Sequence, residues 1–151
     1  MLQVVEFIAA LCAALFAGAA LYVSLVEHPA RMGLETRIAA VQWAPSYRRA
    51  TWMQAPLALL SFLGGLAAWL VGAGSGWLLA ALLIGLVVPF TFIGIMPTNN
   101  RILSPGRDLD SAETRRLLER WGHLHAVRTT LSILATVLYI GLLLGQARFT
   151  R

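Results

Sequence analysis

The chain has 151 residues, of which 58% are hydrophobic and 13% charged, and its 12 basic residues outnumber 7 acidic ones for a formal net charge of +5. A soluble domain of this length has no core able to hold so much apolar side chain, so the composition excludes an ordinary soluble fold and makes the bilayer the solvent. Every basic residue is an arginine and most stand between long apolar runs, a pattern that reports membrane topology and contact with anionic lipid headgroups and gives no sign of a nucleic-acid surface.

Val4 to Val26, Ala55 to Ala73, Trp77 to Met96 and Ala126 to Gly145 reach the roughly 20 residues that cross a hydrocarbon layer as helix. Each is apolar on all faces and lacks the period-two alternation of a barrel strand. The predicted fold class is therefore all-α, a four-transmembrane-helix bundle with a cytoplasmic extension of the fourth helix, forming one membrane-embedded domain over residues 1–151.

The first run has no basic residue before it and exceeds a usual signal-peptide core, so it reads as a retained helix. Glu6 is placed at its outer end or facing the bundle, because a carboxylate in hydrocarbon is costly. Cys12, the single cysteine, excludes an intrachain disulfide or a thiolate metal cluster and reads as a packing residue. The run ends in Ser24, Glu27, His28, Pro29 and Arg31. The ring of Pro29 clashes with the Leu25 carbonyl of an undisturbed helix, so a kink or a stop is predicted here, with carbonyls freed beside a carboxylate and an imidazole. A Glu-His pair suits proton transfer or metal ligation; equally, Glu27 paired to Arg31 is an ordinary polar helix end.

A first loop of about 25 residues is expected to follow, long enough to hold structure of its own, and it carries Arg31, Arg37, Arg48 and Arg49. The second helix opens with Tyr47, Arg48, Arg49, Trp52, Gln54 and Pro56, which adds aromatic and amide groups at the same depth. Gly72 to Gly76 is a minimal uncharged hairpin that forces helices two and three antiparallel. Pro89 is placed to kink the third helix, and Pro97, Thr98, Asn99, Asn100 and Arg101 end or bend it. The carboxamides there either cap freed carbonyls or orient a substrate oxygen with donor and acceptor together. Loop three carries Arg101, Arg107, Arg115, Arg116 and Arg120. Within it, Asp110 or Ser111 with Glu113 predicts a capping box, after which helix runs without a breaker into the fourth span.

On that helix Trp121, His125, Arg128 and Ser132 recur at helical spacing and form one stripe. Taken singly, Trp121 is an interfacial anchor and Arg128 a snorkelling side chain. A lipid-facing stripe gains nothing from an imidazole, however, so the set points inward. His123, about 160° from His125 around the wheel, is the solvent-facing histidine. All four helix ends on this side are polar while the other ends hold little beyond Glu6 and Gln146. One polar mouth on an apolar bundle is where a site is expected.

Three motifs, Glu27-His28-Pro29-Ala30-Arg31, Pro97-Thr98-Asn99-Asn100-Arg101 and Trp121-x-x-x-His125-x-x-Arg128, together resemble the anthrone oxygenase-like family of small four-helix membrane proteins, in order and over nearly the whole chain. Asn100 stands where a basic residue is expected. The resemblance implies oxidation of an anthrone or a similar electron-rich phenolic by dioxygen, with Asn99, His125 and Arg128 carried over first and then His28, Arg31 and Trp121. In that chemistry His28 or His125 acts as base, Arg128 stabilises the oxyanion, Asn99 orients the carbonyl, and Trp121 or Trp52 stacks on the ring. Such an oxidation needs no redox centre from the protein. A metal version remains open, with Glu27, His28 and His125 as candidate ligands for iron or copper, or two facing histidines for haem. So does a non-enzymatic scaffold or helper subunit, in which Gly141-x-x-x-Gly145 and Ala14-x-x-x-Gly18 allow close helix approach within the bundle or in a homo-oligomer. Transport is weaker, since no mid-membrane charge pair marks a pathway.

The Gly72 to Gly76 turn is uncharged and the C-terminal tail has only Arg148 and Arg151, so the positive-inside rule puts loops one and three in the cytoplasm and both termini outside a plasma or inner membrane. Reporter fusions after Gly74 and at the C-terminus are expected to report the outer face, and a fusion within loop three the cytoplasm. The inverse pattern overturns the assignment.

Overall fold

The computed structural model describes residues 1–149, with side chains through Gln146, so the side chains of Arg148 and Arg151 lie outside the described residues. Four helices are long and apolar enough to cross a membrane. They are α1 (Leu2–Met32), α2 (Thr36–Leu70), α3 (Ser75–Ile102) and α4 (Ala112–Phe149). Links over 33–35 and 71–74 are too short for anything but antiparallel neighbours. Each helix packs chiefly on two others, giving the ring α1, α2, α3, α4. Both arginine-rich segments consequently lie at one end of the bundle. At the other end, Gln146 Nε2 donates to the buried Glu6 carboxylate at 2.9 Å, so Glu6 faces the bundle.

The first loop is where the structure departs most from the sequence reading. No 25-residue loop exists: α2 begins at Thr36, and Arg37, Arg48 and Arg49 ride on helix. Beyond the hydrocarbon a helix needs only one apolar face, here Ala39, Ala40 and Trp43, and a hydropathy run does not detect a single face. Pro45 and Pro56 both lie inside it.

Pro29 does not stop α1 either. The residue before it, His28, donates its backbone N–H five residues back to the Val23 carbonyl, closing a π turn over Val23–Glu27. The same device recurs in α3, where Met96, just before Pro97, bonds the Thr91 carbonyl across a π turn over Thr91–Ile95. A wider turn makes room for a ring that a regular turn would clash with, so each rod continues past its proline with one local bulge. Both bulges sit beside the motifs noted in the sequence.

The predicted capping box is half formed. Ser111 Oγ accepts the Thr114 backbone N–H at 3.2 Å, but Glu113 turns away to Arg101 at 2.6 Å and Arg107 at 3.6 Å. Arg101 at the end of α3 and Arg107 in the loop outcompete a backbone N–H for the carboxylate, because both partners carry charge. Arg115 caps α1 from α4, donating to the carbonyls of Met32 and, at 3.0 Å, Leu34.

Small residues set the helix spacing. Ala9, Ala10, Ala13, Ala17 and Ala20 line the buried face of α1 around Phe16, and an alanine stripe lets backbones approach where no hydrophobic effect drives them together. The glycines of Ala14-x-x-x-Gly18 and Gly141-x-x-x-Gly145 face open space and make no close approach inside the bundle. Gly64 and Gly65 do that work instead, against Ala9 of α1 and Tyr139 of α4. Tyr139 Oη donates to the Ser61 carbonyl at 3.1 Å, and Ser61 Oγ donates to the Ala9 carbonyl at 2.9 Å, tying α4 to α2 and α2 to α1.

A methyl group at Gly65 would overlap the Tyr139 hydroxyl outright. Gly65→Ala is expected to destabilise the protein in detergent by about 1–3 kcal/mol, and to cost less in a Tyr139→Phe background. Simple additivity of the two substitutions in a thermal-unfolding series contradicts this contact.

Candidate functional site at the arginine-rich end

On α2, Trp43, Tyr47, Ala50 and Gln54 fall on one face at helical spacing and meet Trp121, His125 and Arg128 of α4 and Arg31 of α1 around a cavity of about 20 Å³. That is the room of a single water-sized molecule. Aromatic rings build most of its wall. Trp43 stacks on Tyr47 with centroids 5.1 Å apart and meets Trp121 edge-on at 5.7 Å. Trp121 in turn lies on the His125 ring at 4.9 Å.

The stripe on α4 faces inward, as its spacing predicts: Trp121, His125 and Ser132 are buried and His123 is exposed. His125, only 3% exposed, meets the α1 bulge. Its Nδ1 lies 3.1 Å from Ser24 Oγ, which lies 2.8 Å from Thr129 Oγ1. Thr129 Oγ1 reaches the Ala20 and His125 carbonyls, each at 3.2 Å. Carbonyls only accept, so Thr129 donates there, Ser24 donates to Thr129, and Ser24 accepts from Nδ1–H. In that direction the network goes with the tautomer in which Nε2 keeps its lone pair; a Thr129 hydroxyl turned to Ser24 reverses the chain and puts the proton on Nε2.

Two arginines line the cavity, and their surroundings differ. Arg31 is 3% exposed and bonded to Glu27 and Gln42, with Ser46 Oγ also donating to Glu27. This pairing of Glu27 with Arg31 is the ordinary helix-end contact anticipated from the sequence. Arg128 has no such compensation. Its Nη2 donates to Gln54 Oε1 at 3.0 Å and its guanidinium lies 5.5 Å from the centre of the Phe16 ring. Among the described residues no ion pair joins it to a carboxylate.

The donors here outnumber the acceptors. Trp43 Nε1, Trp121 Nε1, Gln54 Nε2 and Arg128 Nε are all buried without a hydrogen-bond partner, and all four residues line the same cavity. Each unmet donor costs about 1–3 kcal/mol, so their convergence calls for an acceptor from outside the chain.

The remaining sequence candidates are placed differently. His28 is buried on the other side of the α1–α4 seam, its ring 5.2 Å from Trp121 and its Nδ1 3.4 Å from Arg31 Nη1. Its Cδ2 would lie 2.6 Å from a methyl group added at Gly122. Gly122, which the sequence reading passed over, is thus the residue that admits His28 against α4. A glycine inside a long helix costs about 1 kcal/mol against alanine, and that mid-helix cost is the signal that could have found it. Asn99 is fully buried at the polar end of α3, with neither amide atom partnered, on the face of Ile95 and Ile102 that packs with Leu118 and Trp121. Neither His28 nor Asn99 lines the small cavity, so of the four predicted catalytic residues only His125 and Arg128 share it.

Trp52 is a correction. It is 83% exposed, because nine residues of helix turn it about 180° from Trp43; the aromatic wall uses Trp43 and Tyr47 instead. The three metal candidates do not converge either. Among the described residues no group of three His, Cys, Asp or Glu side chains is placed to hold a metal ion, and Glu27 is engaged by Arg31 and Ser46.

The cavity has larger neighbours on both flanks of α2. Toward α1 a groove of about 560 Å³ runs past Tyr22, Val23, Glu27, Gln42, Ser46 and Arg49 to Gln54. Toward α3 a pocket of about 120 Å³ is mostly apolar and ends on Gln54 and Arg128. Gln54 lines all of these spaces.

The chain is 39% identical to anthrone oxygenase tpcL of Aspergillus fumigatus over 70 residues, a match that covers 44% of this chain and 44% of that protein. No solved structure matches it. The family model for anthrone oxygenase matches residues 43–138, from the first aromatic of the cavity to the residue before Tyr139. That span is more than half of the sequence and carries Trp43, Gln54, Asn99, Trp121, His125 and Arg128, and the chain belongs to the anthrone oxygenase family.

Proposed function

We propose that the protein oxidises an anthrone, or a similar electron-rich phenolic, with dioxygen at the arginine-rich end of the bundle. The observation that carries this reading is the half-buried Arg128 guanidinium, its Nε shut off from solvent and no carboxylate paired with it among the described residues, beside an imidazole whose Nδ1 is tied to Ser24. A base and a fixed positive charge are what a weakly acidic C–H needs to become an anion away from water.

The aromatic substrate occupies the groove between α1 and α2, whose 560 Å³ is within the ordinary range for small-molecule sites. Its lining is mostly apolar, which suits an aromatic ring, and Glu27, Gln42, Ser46 and Arg49 offer polar groups to the hydroxyls of a phenolic. The groove shares Val23, Ser46, Ala50 and Gln54 with the cavity that His125 and Arg128 line. With the reacting edge of the ring brought up to these residues, His125 Nε2 takes the C–H proton and the charge left on the conjugated oxygen is drawn toward Arg128. The anion passes one electron to dioxygen, and the carbon radical and superoxide combine to a peroxide. Proton uptake gives the hydroperoxide, and loss of water from it leaves a carbonyl. One oxygen atom ends in the product and the other in water, with no external reductant. His28 and Gly122 act at one remove, bracing Trp121 and Arg31. The positive-inside asymmetry puts this end on the cytoplasmic side.

His125→Gln keeps much of the volume and one hydrogen bond, so the folded protein and its thermal stability are expected to survive while the rate of dioxygen consumption with an anthrone falls about 10²–10⁴-fold. Arg128→Gln is expected to lose activity similarly, and His123→Gln to change nothing. Full activity in His125→Gln, or a loss matched by unfolding, makes His125 architecture. Gly122→Ala pushes the His28 ring off α4. It is expected to lower both stability and activity, and to be tolerated better when His28 is also alanine; equal cost in both backgrounds removes His28 from the support of the site.

A further inference from the structure

The groove that suits an aromatic substrate and the cavity that holds the unmet donors are different spaces. At about 20 Å³ the inner cavity admits one small molecule and excludes any ring. Four of its lining residues carry a buried N–H without a partner, Trp43 Nε1, Trp121 Nε1, Gln54 Nε2 and Arg128 Nε, and three of these residues are almost completely buried. The lining also offers acceptors, His125 Nε2 and the Tyr47 hydroxyl among them, but every buried side-chain atom left without a partner on it is an N–H donor, and with a positive charge beside them these suit a small anion.

We infer that this inner cavity is the oxygen site: it takes dioxygen in the reaction and holds it once reduced by one electron, as superoxide. This rests on the oxidative reading above and adds where the second substrate goes. Neutral dioxygen gains little from the donors. On accepting an electron from the substrate anion it carries a full negative charge, and the same N–H groups then stabilise it in a water-poor site without having to reorganise. The charge moves from the conjugated oxygen in the groove to the oxygen molecule in the cavity that Arg128 lines, across Val23, Ser46, Ala50 and Gln54, which line both spaces. Gln54 stands at the junction, its Oε1 holding Arg128 and its Nε2 left free for the cavity. The mostly apolar pocket toward α3 shares Tyr47, Thr51, Gln54 and Arg128 with that cavity, which makes it the approach we assign to dioxygen, a solute that favours apolar surroundings.

Bromide is a small anion of similar bulk and a heavy-atom quencher of indole, so it reports occupation of a cavity walled by Trp43 and Trp121 without any turnover. Titrated with sodium bromide at ionic strength held constant by sodium sulfate, the intact protein is expected to show saturable quenching. Arg128→Gln is expected to abolish the saturable component, and Gln54→Leu to weaken it roughly tenfold, the loss of one hydrogen bond to a charged group. During turnover bromide is expected to raise the KM for dioxygen and leave that for the aromatic substrate unchanged. Quenching that stays linear in bromide, or is the same in Arg128→Gln, overturns the anion site. Bromide competing with the aromatic substrate in place of dioxygen assigns the donors to the phenolic oxygen and overturns the oxygen assignment, while leaving the oxidase reading intact. A protein that binds bromide but oxidises no phenolic overturns the oxidase reading and, with it, the identity of the anion as superoxide.

Discussion

The seam between the bulge of α1 and the inward stripe of α4 is the contact on which the rest of the polar end depends. Ser24 joins His125 and Thr129 across it, His28 lies against Gly122, and Arg115 closes over the last carbonyls of α1. Ser24 stands inside the π turn over Val23–Glu27. A regular turn there would rotate every residue from Glu27 onward by roughly one helical position, about 100°, relative to the residues before the bulge. Ser24 and Arg31 would then no longer be presented to the same neighbours. Pro29 therefore sets the orientation of the site's first wall through a backbone hydrogen bond it cannot make.

How far the sequence reveals this depends on which physical signal each residue leaves. Four apolar runs in a chain with few charges fix the class of fold, since only satisfied backbones cross a bilayer. The stripe of Trp121, His125, Arg128 and Ser132 is legible because its spacing is helical and an imidazole has no reason to face lipid. The extension of α2 is not legible by hydropathy, because residues 36–54 are buried on one face only. Tyr47 and Gln54 are legible as the opening of the second helix, but the hidden turns before them carry Trp43, which completes the cavity's third wall, and with the helix start misplaced Trp52 looks as good a stacking partner as Trp43. The π turns leave a weaker trace: a proline inside a run predicts a break, and whether it becomes a kink, a stop or a bulge is decided by what packs against it. Gln54 carries no sequence signal stronger than its type, since its importance comes from where the spaces meet.

Charge is distributed so that one arginine is structural and the other available. Arg31 and Glu27 neutralise one another and are further bonded by Gln42 and Ser46, which holds α1 on α2. Removing one partner from such a buried pair leaves an uncompensated charge, the costly case. Arg128 is held in that unpaired state, with only an amide oxygen and the Phe16 ring to steady it. Neither group carries a negative charge, and among the described residues no carboxylate pairs with the guanidinium, so its charge remains available to a ligand.

A polar site of this kind is tolerable only because the rest of the bundle is tightly fixed. Unmet donors and an unpaired cation together oppose folding by several kcal/mol, and in a bilayer there is no hydrophobic effect between helices to offset them. The offset comes from close backbone approach in the other half. Alanines along α1 and glycines 64 and 65 bring α1, α2 and α4 near enough for Tyr139, Ser61 and the Ala9 carbonyl to bond in series. A larger residue anywhere in that series would widen the bundle, and widening acts at both ends of a rigid rod. The small cavity beside Arg128 is water-sized only while α2 and α4 keep their separation, so the packing of the apolar half also sets what the polar half can exclude.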